Sequence, residues 1–491
     1  MKSVVLVNPP LELVDRYGKD MKHFGGVSEP LGLGYIAGYL EQEGVPVRII
    51  DSQAERMGLD DVVKNIIDHG DDIVGITFLT PMFSMVKALS ERVKASDPSR
   101  LVVLGGAHCI SLPERTLEEI PCADVVCHGE GEFTMEEIAR KDISQWGEIE
   151  GLCFRGDGEI VKTPQRKTEK DLDVIPFPAR HLLPMDKYRL TASRVSGSGY
   201  CPTIVVARGC PFHCTFCSLS RGLKLRTHSV KRIIAEVQHL IDTYGAEQIN
   251  IEADTLTINR RFLVALCDAF IESGISKKVQ WTCESRIDSV DEELLTLMKE
   301  AGCWQVSYGI EAGSQRLLAL IKKKTTLKQI EDVCALTKRM GITIRGFFML
   351  GLPTETREES FETINFAKKI DPTWAQFTVT VPYPGTPMYD ELSASGEIRT
   401  YDWDKYNTWW GWKDEEDAPF VPKGRTVKEL QVLQKRALRE FYLRPTVFWR
   451  FLMRTRSLYD FSKYAKGVWV LWKTWFSEAS LQYPGAVPWR K

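Results

Sequence analysis

The 491-residue sequence has no apolar run long enough to cross a bilayer, which excludes a spanning helix. It has no excess of either charge. Its 64 Lys and Arg face 66 Asp and Glu, a formal net charge of -2. Nucleic-acid binders usually carry a basic surplus, so no nucleic-acid partner is expected. There is no internal repeat and no low-complexity tract. Nor does the start resemble a signal peptide. Met1-Lys2-Ser3 leads straight into Val4-Val5-Leu6-Val7, too short for a secretory core, and Asn8-Pro9-Pro10 follows at once. Twelve cysteines without an export signal suit a reducing compartment, where thiolates serve metals or stay buried. A cytoplasmic location is therefore the expectation.

What is present is alternation. The length calls for two or three domains. Val4–Val7, Val47–Ile50, Ile73–Phe78, Leu101–Leu104 and Asp124–Cys127 read as strands, with helical spacing between them and over Glu132–Arg140. Strict β/α alternation predicts an α/β fold with a parallel, doubly wound, Rossmann-like sheet over 1–145. Such sheets take ligands at the C-terminal ends of their strands, where Gly105-Gly106-Ala107-His108 and Gly129-Glu130-Gly131-Glu132 lie. Pro176, Pro178 and Pro184 mark 146–195 as a linker. A second array over 196–392 has strands at Thr203–Ala207, Gln248–Glu252, Gln280–Cys283, Gln305–Gly309, Ile342–Met349 and Ala375–Val381. Six β/α units predict a partial (β/α)6 barrel of TIM type, with chemistry at the C-terminal strand ends. Residues 393–491 read as a mainly helical, aromatic-rich region. It holds Trp403, Trp409, Trp410 and Trp412, and a helix over Val427–Tyr442.

Directly after the first barrel strand comes Arg208-Gly209-Cys210-Pro211-Phe212-His213-Cys214-Thr215-Phe216-Cys217, a Cys-x3-Cys-x2-Cys loop. Three thiolates on one tight loop hold three irons of a [4Fe-4S] cube, whereas ordinary clusters have four cysteine ligands. Three ligands leave one iron open, the mark of a catalytic metal. The alternative is a zinc site completed by His213 or a distant cysteine, but zinc sites normally supply a second Cys or His pair. Cys109, Cys122, Cys127, Cys153, Cys201, Cys267, Cys283, Cys303 and Cys334 form no second close group and read mainly as core.

This loop, with aromatic Phe216 before its last cysteine, resembles the signature of the radical S-adenosylmethionine (SAM) superfamily. The resemblance implies that SAM chelates the open iron and is cleaved by an electron from the cluster to a 5′-deoxyadenosyl radical. It also implies SAM contacts at successive strand ends. Asp254 matches the site that recognises the methionine amino group, in Glu252-Ala253-Asp254 where many relatives have paired aspartates. Arg286 is placed for the cofactor carboxylate, Glu311 for the ribose, and Gly351 for the adenine side. Electrons are expected from an external donor of flavodoxin or ferredoxin type.

The first segment is similar to the cobalamin-binding domain that precedes the barrel in one branch of the superfamily. Asn8-Pro9-Pro10, Pro30-Leu31-Gly32-Leu33 and the two glycine turns carry that likeness. Downstream, Pro382-Tyr383-Pro384-Gly385-Thr386-Pro387 and Phe441-Tyr442-Leu443-Arg444-Pro445 extend it over nearly the whole chain. It implies cobalamin contacts by Gly105, Gly106, His108, Gly129, Glu130 and Gly131. The histidine that some such domains place on cobalt sits in Asp-x-His-x-x-Gly. Here Asp20 and His23 are one residue too far apart, so cobalt without histidine is expected.

The branch holds methyltransferases and cyclases, and methylation of an unactivated carbon of a hydrophobic substrate is the expected reaction. The alternatives are a cyclase or oxidase acting on a tetrapyrrole or lipid, and a cobalamin- or cluster-based sensor. In the tail, Trp469, Trp472 and Phe476 share one helical face among Lys and Arg, which predicts peripheral membrane contact and a lipid-like substrate.

Overall fold

A computed structural model describes residues 2–11, 26–156, 158–191, 193–195, 200–218, 223–408 and 417–454. The first sheet contains β1 (Val4–Asn8), β2 (Val47–Asp51), β3 (Ile73–Thr77), β4 (Leu101–Gly105), β5 (Val125–Cys127), β6 (Leu152–Gly156) and β7 (Glu159–Lys162), in the order β2-β1-β3-β4-β5-β6-β7. Strands β1 to β5 are parallel. Their apolar runs are buried on both faces, as parallel strands sandwiched between helices require. Val4 and Leu6 join Leu33, Ala37, Leu40 and Ile138 on one side. Val5 and Val7 join Val62, Ile66, Val86 and Leu89 on the other. The order reverses between β1 and β3, which opens a crevice at the carboxyl ends of these strands.

The expected linker is only partly one. β6 pairs antiparallel with β5, and β7 with β6, so this hairpin extends the first sheet rather than leaving it. A buried run of only three residues in β6, Leu152-Cys153-Phe154, and an exposed edge strand β7 concealed it. The proline-rich stretch that follows packs closely. A Cβ on Gly38, in helix Leu31–Gln42, would lie 2.4 Å from the Phe177 carbonyl oxygen, so only glycine lets the chain pass.

The second sheet has β8 (Thr203–Arg208), β9 (Arg226–Thr227), β10 (Gln248–Ala253), β11 (Gln280–Ser285), β12 (Cys303–Glu311), β13 (Thr343–Leu350) and β14 (Trp374–Val379), in the order β14-β13-β12-β11-β10-β8-β9. The six long strands are parallel and sequential, so their C-terminal ends share one edge. Short β9 pairs antiparallel with β8. Helix Val427–Tyr442 matches the expected span and covers β14, with Gln434 donating to the Phe377 carbonyl at 2.9 Å. The aromatic segment before it reaches the first domain, where Trp403 Nε1 donates to Glu119 at 2.6 Å. Trp409, Trp410, Trp412 and the tail from residue 455 lie outside the described residues.

Arg180 joins the parts. Its guanidinium lies 2.8 Å from Glu236 on helix Val230–Tyr244 and 3.9 Å from Glu29, and donates to the Thr203 carbonyl at 2.7 Å. All three charged side chains are 2 % exposed, and Arg232 adds a second cation 3.0 Å from Glu236, so the charges are compensated within this buried cluster. Arg180→Met leaves Glu29 buried with its counter-charge gone and Glu236 with Arg232 alone. We expect a loss of about 3–5 kcal/mol in unfolding free energy, read by denaturant titration.

Candidate active site

The cysteine loop leaves β8 through Gly209, whose φ of +97° and close approach to the Lys224 carbonyl admit no side chain. Gly209 N donates to the Asp254 carboxylate at 2.5 Å, so the end of β10 holds the start of the loop. Farther along, Thr215 N donates to the Ile321 carbonyl at 3.1 Å, and Met388 N to the Thr215 carbonyl at 2.9 Å. The loop is thus pinned at its start and, from both sides, at Thr215.

Cys210, Cys214 and Cys217 open into one cavity of about 430 Å³ at the strand ends. Phe216, Asp254, Arg286 and Glu311 line the same cavity. Burial pushes the Asp254 carboxyl above its usual range, although the Gly209 amide and Arg208 oppose that shift. Glu311 pairs with Lys323 Nζ at 2.7 Å, and both side chains are less than a tenth exposed. A register shift between Gly309 and Glu311 and a left-handed φ of +69° at Glu311 accompany this placement at the end of β12.

Gly351 and Arg286 are placed differently. Gly351 is absent from the cavity wall. A Cβ there would meet Leu430 at 3.1 Å, so this glycine serves the packing of helix Val427–Tyr442. Arg286 lines the cavity but is already engaged: it forks onto Asp288 at 2.9 and 2.8 Å and donates to the Lys323 carbonyl at 2.6 Å. Lys323, Gly309, Arg208 and Thr255 line the cavity and were missed. Arg208 was detectable as a charge two residues before Cys210. Lys323 stands in an unremarkable lysine triplet and carries no motif.

The glycine turns of the first domain divide similarly. Gly105 and Gly129 face open space, with no atom within 4 Å of a built Cβ. Gly106 has φ +100° and a Cβ position 2.6 Å from the Phe78 carbonyl oxygen, so it lets β4 turn against the end of β3. Gly131 abuts Ile36 at 2.8 Å and belongs to helix packing, not to an open ligand face. Glu130 is occupied too. It pairs with Arg226 at 2.5 Å and Arg208 at 3.4 Å, while Glu132 takes Arg208 at 2.7 Å. These acids bridge the domains by charge pairing across the gap. His108 is 1 % exposed among Phe78, Phe83 and Trp403, and burial lowers its pKa to about 4. Its Nδ1 meets Thr80 Oγ1 at 3.2 Å, and its Nε2 has no partner among the described residues. Asp20 and His23 lie outside the described residues.

Comparison with known proteins completes the picture. The B12 binding domain model matches residues 20–139, and the Radical SAM superfamily model matches residues 204–367. An uncharacterized methyltransferase of Pyrococcus horikoshii is 36% identical over 91% of this chain and 93% of its own. The chain belongs to the cobalamin-binding radical SAM methyltransferase family. Cytidylyl-2-hydroxyethylphosphonate methyltransferase of Streptomyces wedmorensis, another relative, is 31% identical over 81% of this chain and 83% of its own. The fold is shared with the radical SAM methyltransferase TsrM of Kitasatospora setae, solved with cobalamin and a [4Fe-4S] cluster. That match has a TM-score of 0.68 and 17% identity, over 91% of this chain and 90% of that one.

As a radical SAM enzyme of this family, the protein uses a [4Fe-4S] cluster, SAM and cobalamin, and its residues fit all three. Three thiols line one cavity, and Thr255 Oγ1 is buried in its wall without a partner. Among the described residues no group of three His, Cys, Asp or Glu converges to hold a single metal ion, so the zinc alternative gains nothing. A cube needs no such convergence, because its thiolates bind separate irons. For cobalamin, Gly105 and Gly129 leave open space after β4 and β5, and the Leu79 side chain after β3 is exposed.

A Cβ at Gly309 would lie 2.5 Å from Glu311 Oε1 and 2.7 Å from Lys323 Nζ, the movable ends of two side chains. Gly309→Ala should displace this pair without unfolding the domain. We expect iron content to be kept and SAM affinity, measured by calorimetry, to fall roughly tenfold.

Proposed function

We propose that this enzyme transfers a methyl group to an unactivated carbon of a small apolar or lipid-like substrate. The observation that carries this reading is the shared cavity: the three cysteines and Asp254, Arg286 and Glu311 open into one space. Its walls include Val205, Phe212 and Phe347, which suit an apolar guest. When bound, the cluster and SAM supply a carbon radical, and cobalamin supplies a methyl carrier. Cys210, Cys214 and Cys217 would hold the cluster. Asp254 and Glu311 would orient SAM by accepting hydrogen bonds from its ammonium and ribose hydroxyls. Phe216 would cover it within the loop.

Electrons would come from a flavodoxin- or ferredoxin-type donor. Lys322 and Lys324 support this partner, because both are exposed beside the cysteine loop. The Cys214 thiol lies 3.9 Å from the Lys322 carbonyl oxygen. An acidic donor docking on these lysines would stand close to the cluster.

Membrane contact has its support at the end of the described chain. Helix Pro445–Arg454 is anchored by Arg450 on Asp371 and by Phe451 against Trp374. It leaves Phe448, Trp449 and Met453 exposed at 57, 62 and 80 %. No helix among the described residues is long and apolar enough to cross a membrane, so contact would be peripheral. Trp469, Trp472 and Phe476 continue the aromatic sequence outside the described residues.

Anaerobically reconstituted protein should hold one four-iron cluster, release 5′-deoxyadenosine on reduction, and pass label from methyl-labelled SAM to the substrate carbon. Cys214→Ala should lose the iron and all SAM cleavage. Iron retained in that variant, or no 5′-deoxyadenosine from the parent enzyme, defeats the reading. Separately, full-length protein should pellet with anionic liposomes, and Phe448→Ser/Trp449→Ser/Met453→Ser should pellet less. Equal sedimentation of the two discards this helix as a membrane surface.

A further inference from the structure

Arg286 makes a contact that the cofactor-carboxylate role does not explain. Its Nη1 donates toward Cys214 Sγ at 3.7 Å, an ordinary length for the large sulfur acceptor. The rest of the guanidinium is held rigidly. Asp288 takes a fork of two hydrogen bonds, the Lys323 carbonyl takes a third, and Phe212 lies flat beneath at 3.7 Å from the ring centroid. The side chain is 7 % exposed, so little water screens its charge. A fork, a carbonyl and an aromatic face together leave this arginine one orientation, with a donor directed at a cysteine sulfur.

We infer that Arg286 is a positioning residue for the cluster, whose charge and N–H···S hydrogen bond at Cys214 raise its reduction potential. The inference rests on the cluster assignment made above. A thiolate that accepts a charged hydrogen bond gives less electron density to iron, so the reduced cluster gains stability over the oxidised one. The neighbourhood makes this cation consequential. Asp254, Glu252, Glu284 and Glu311 line the same cavity, and their negative charge opposes addition of an electron. The other cations on the wall are paired, Lys323 with Glu311 and Arg208 with Glu132, each at 2.7 Å. Arg286 is partly offset by Asp288, so this acid sets how much positive field reaches the sulfur.

The acid gives the test its sign. In SAM-free reconstituted protein, Arg286→Gln removes the charge and replaces the guanidinium donor by a shorter neutral amide, and the midpoint potential should move negative. A tenfold fall in the reduced-to-oxidised ratio at fixed potential corresponds to about 59 mV for one electron. Asp288→Asn leaves the arginine and removes its counter-charge, so the potential should move positive. Arg286→Lys keeps charge without the fork and should fall between Arg286→Gln and the parent. A disturbance that merely loosened the loop would not give shifts of opposite sign. If Arg286→Gln fails to retain iron, the positive shift of Asp288→Asn still decides. Unchanged potentials in intact clusters, with weakened SAM binding in Arg286→Gln, overturn the inference and return the arginine to the cofactor carboxylate. Absence of a four-iron cluster from the parent protein overturns the cluster assignment as well, so the two failures are told apart.

Discussion

Arg208 and Arg226 stand on paired strands at the mouth of the cysteine loop, and both draw counter-charge from outside their own domain. Glu130 and Glu132, at the turn after β5, meet them across the gap. Glu132 is 4 % exposed on its side chain, so a shift between the domains would leave a buried carboxylate uncompensated. Breaking such a pair costs about 3–5 kcal/mol, a large share of ordinary domain stability. The bridge therefore fixes the carboxyl ends of one sheet against those of the other. Arg208 also lines the cavity, which makes the interdomain link part of the site wall. Trp403 and the segment around it brace the opposite margin, through Glu119 and a face shared with His108.

Charges that line the cavity are held in pairs. Lys323 answers Glu311, and Asp288 answers Arg286. Backbone geometry makes this possible in a small space. Glu311, Lys322 and Lys324 all adopt left-handed φ, at +69°, +53° and +59°. Such conformations cost of order 1–3 kcal/mol each and persist where surrounding contacts over-determine them. Here those contacts include the Ile321 and Lys323 carbonyls, which accept from Thr215 N and the Arg286 guanidinium.

Much of this was legible in order along the chain. Apolar runs and helical spacing located the parallel strands of both sheets, because a strand buried on both faces must be apolar throughout. The hairpin of β6 and β7 escapes, since the apolar run of β6 is only Leu152-Cys153-Phe154 and the exposed edge strand β7 needs none. Gly351 packs against Leu430 and Gly131 against Ile36, and Glu130 pairs with Arg208 and Arg226, none of which their sequence neighbours show. Glycine in sequence reports only that a side chain is not tolerated; what occupies its place depends on the fold.

The sequence by itself determined the chemistry that spacing controls. Three cysteines within eight positions form one site in any fold, and β/α alternation confines them to a strand-end loop. Tertiary structure alone decided where the charges point. Arg286 meets Cys214 across 72 positions, Glu130 meets Arg226 across 96, and Arg180 meets Glu29 across 151. Electrostatic pairing is decided by distance and burial after folding, and neither is written in the local order of residues.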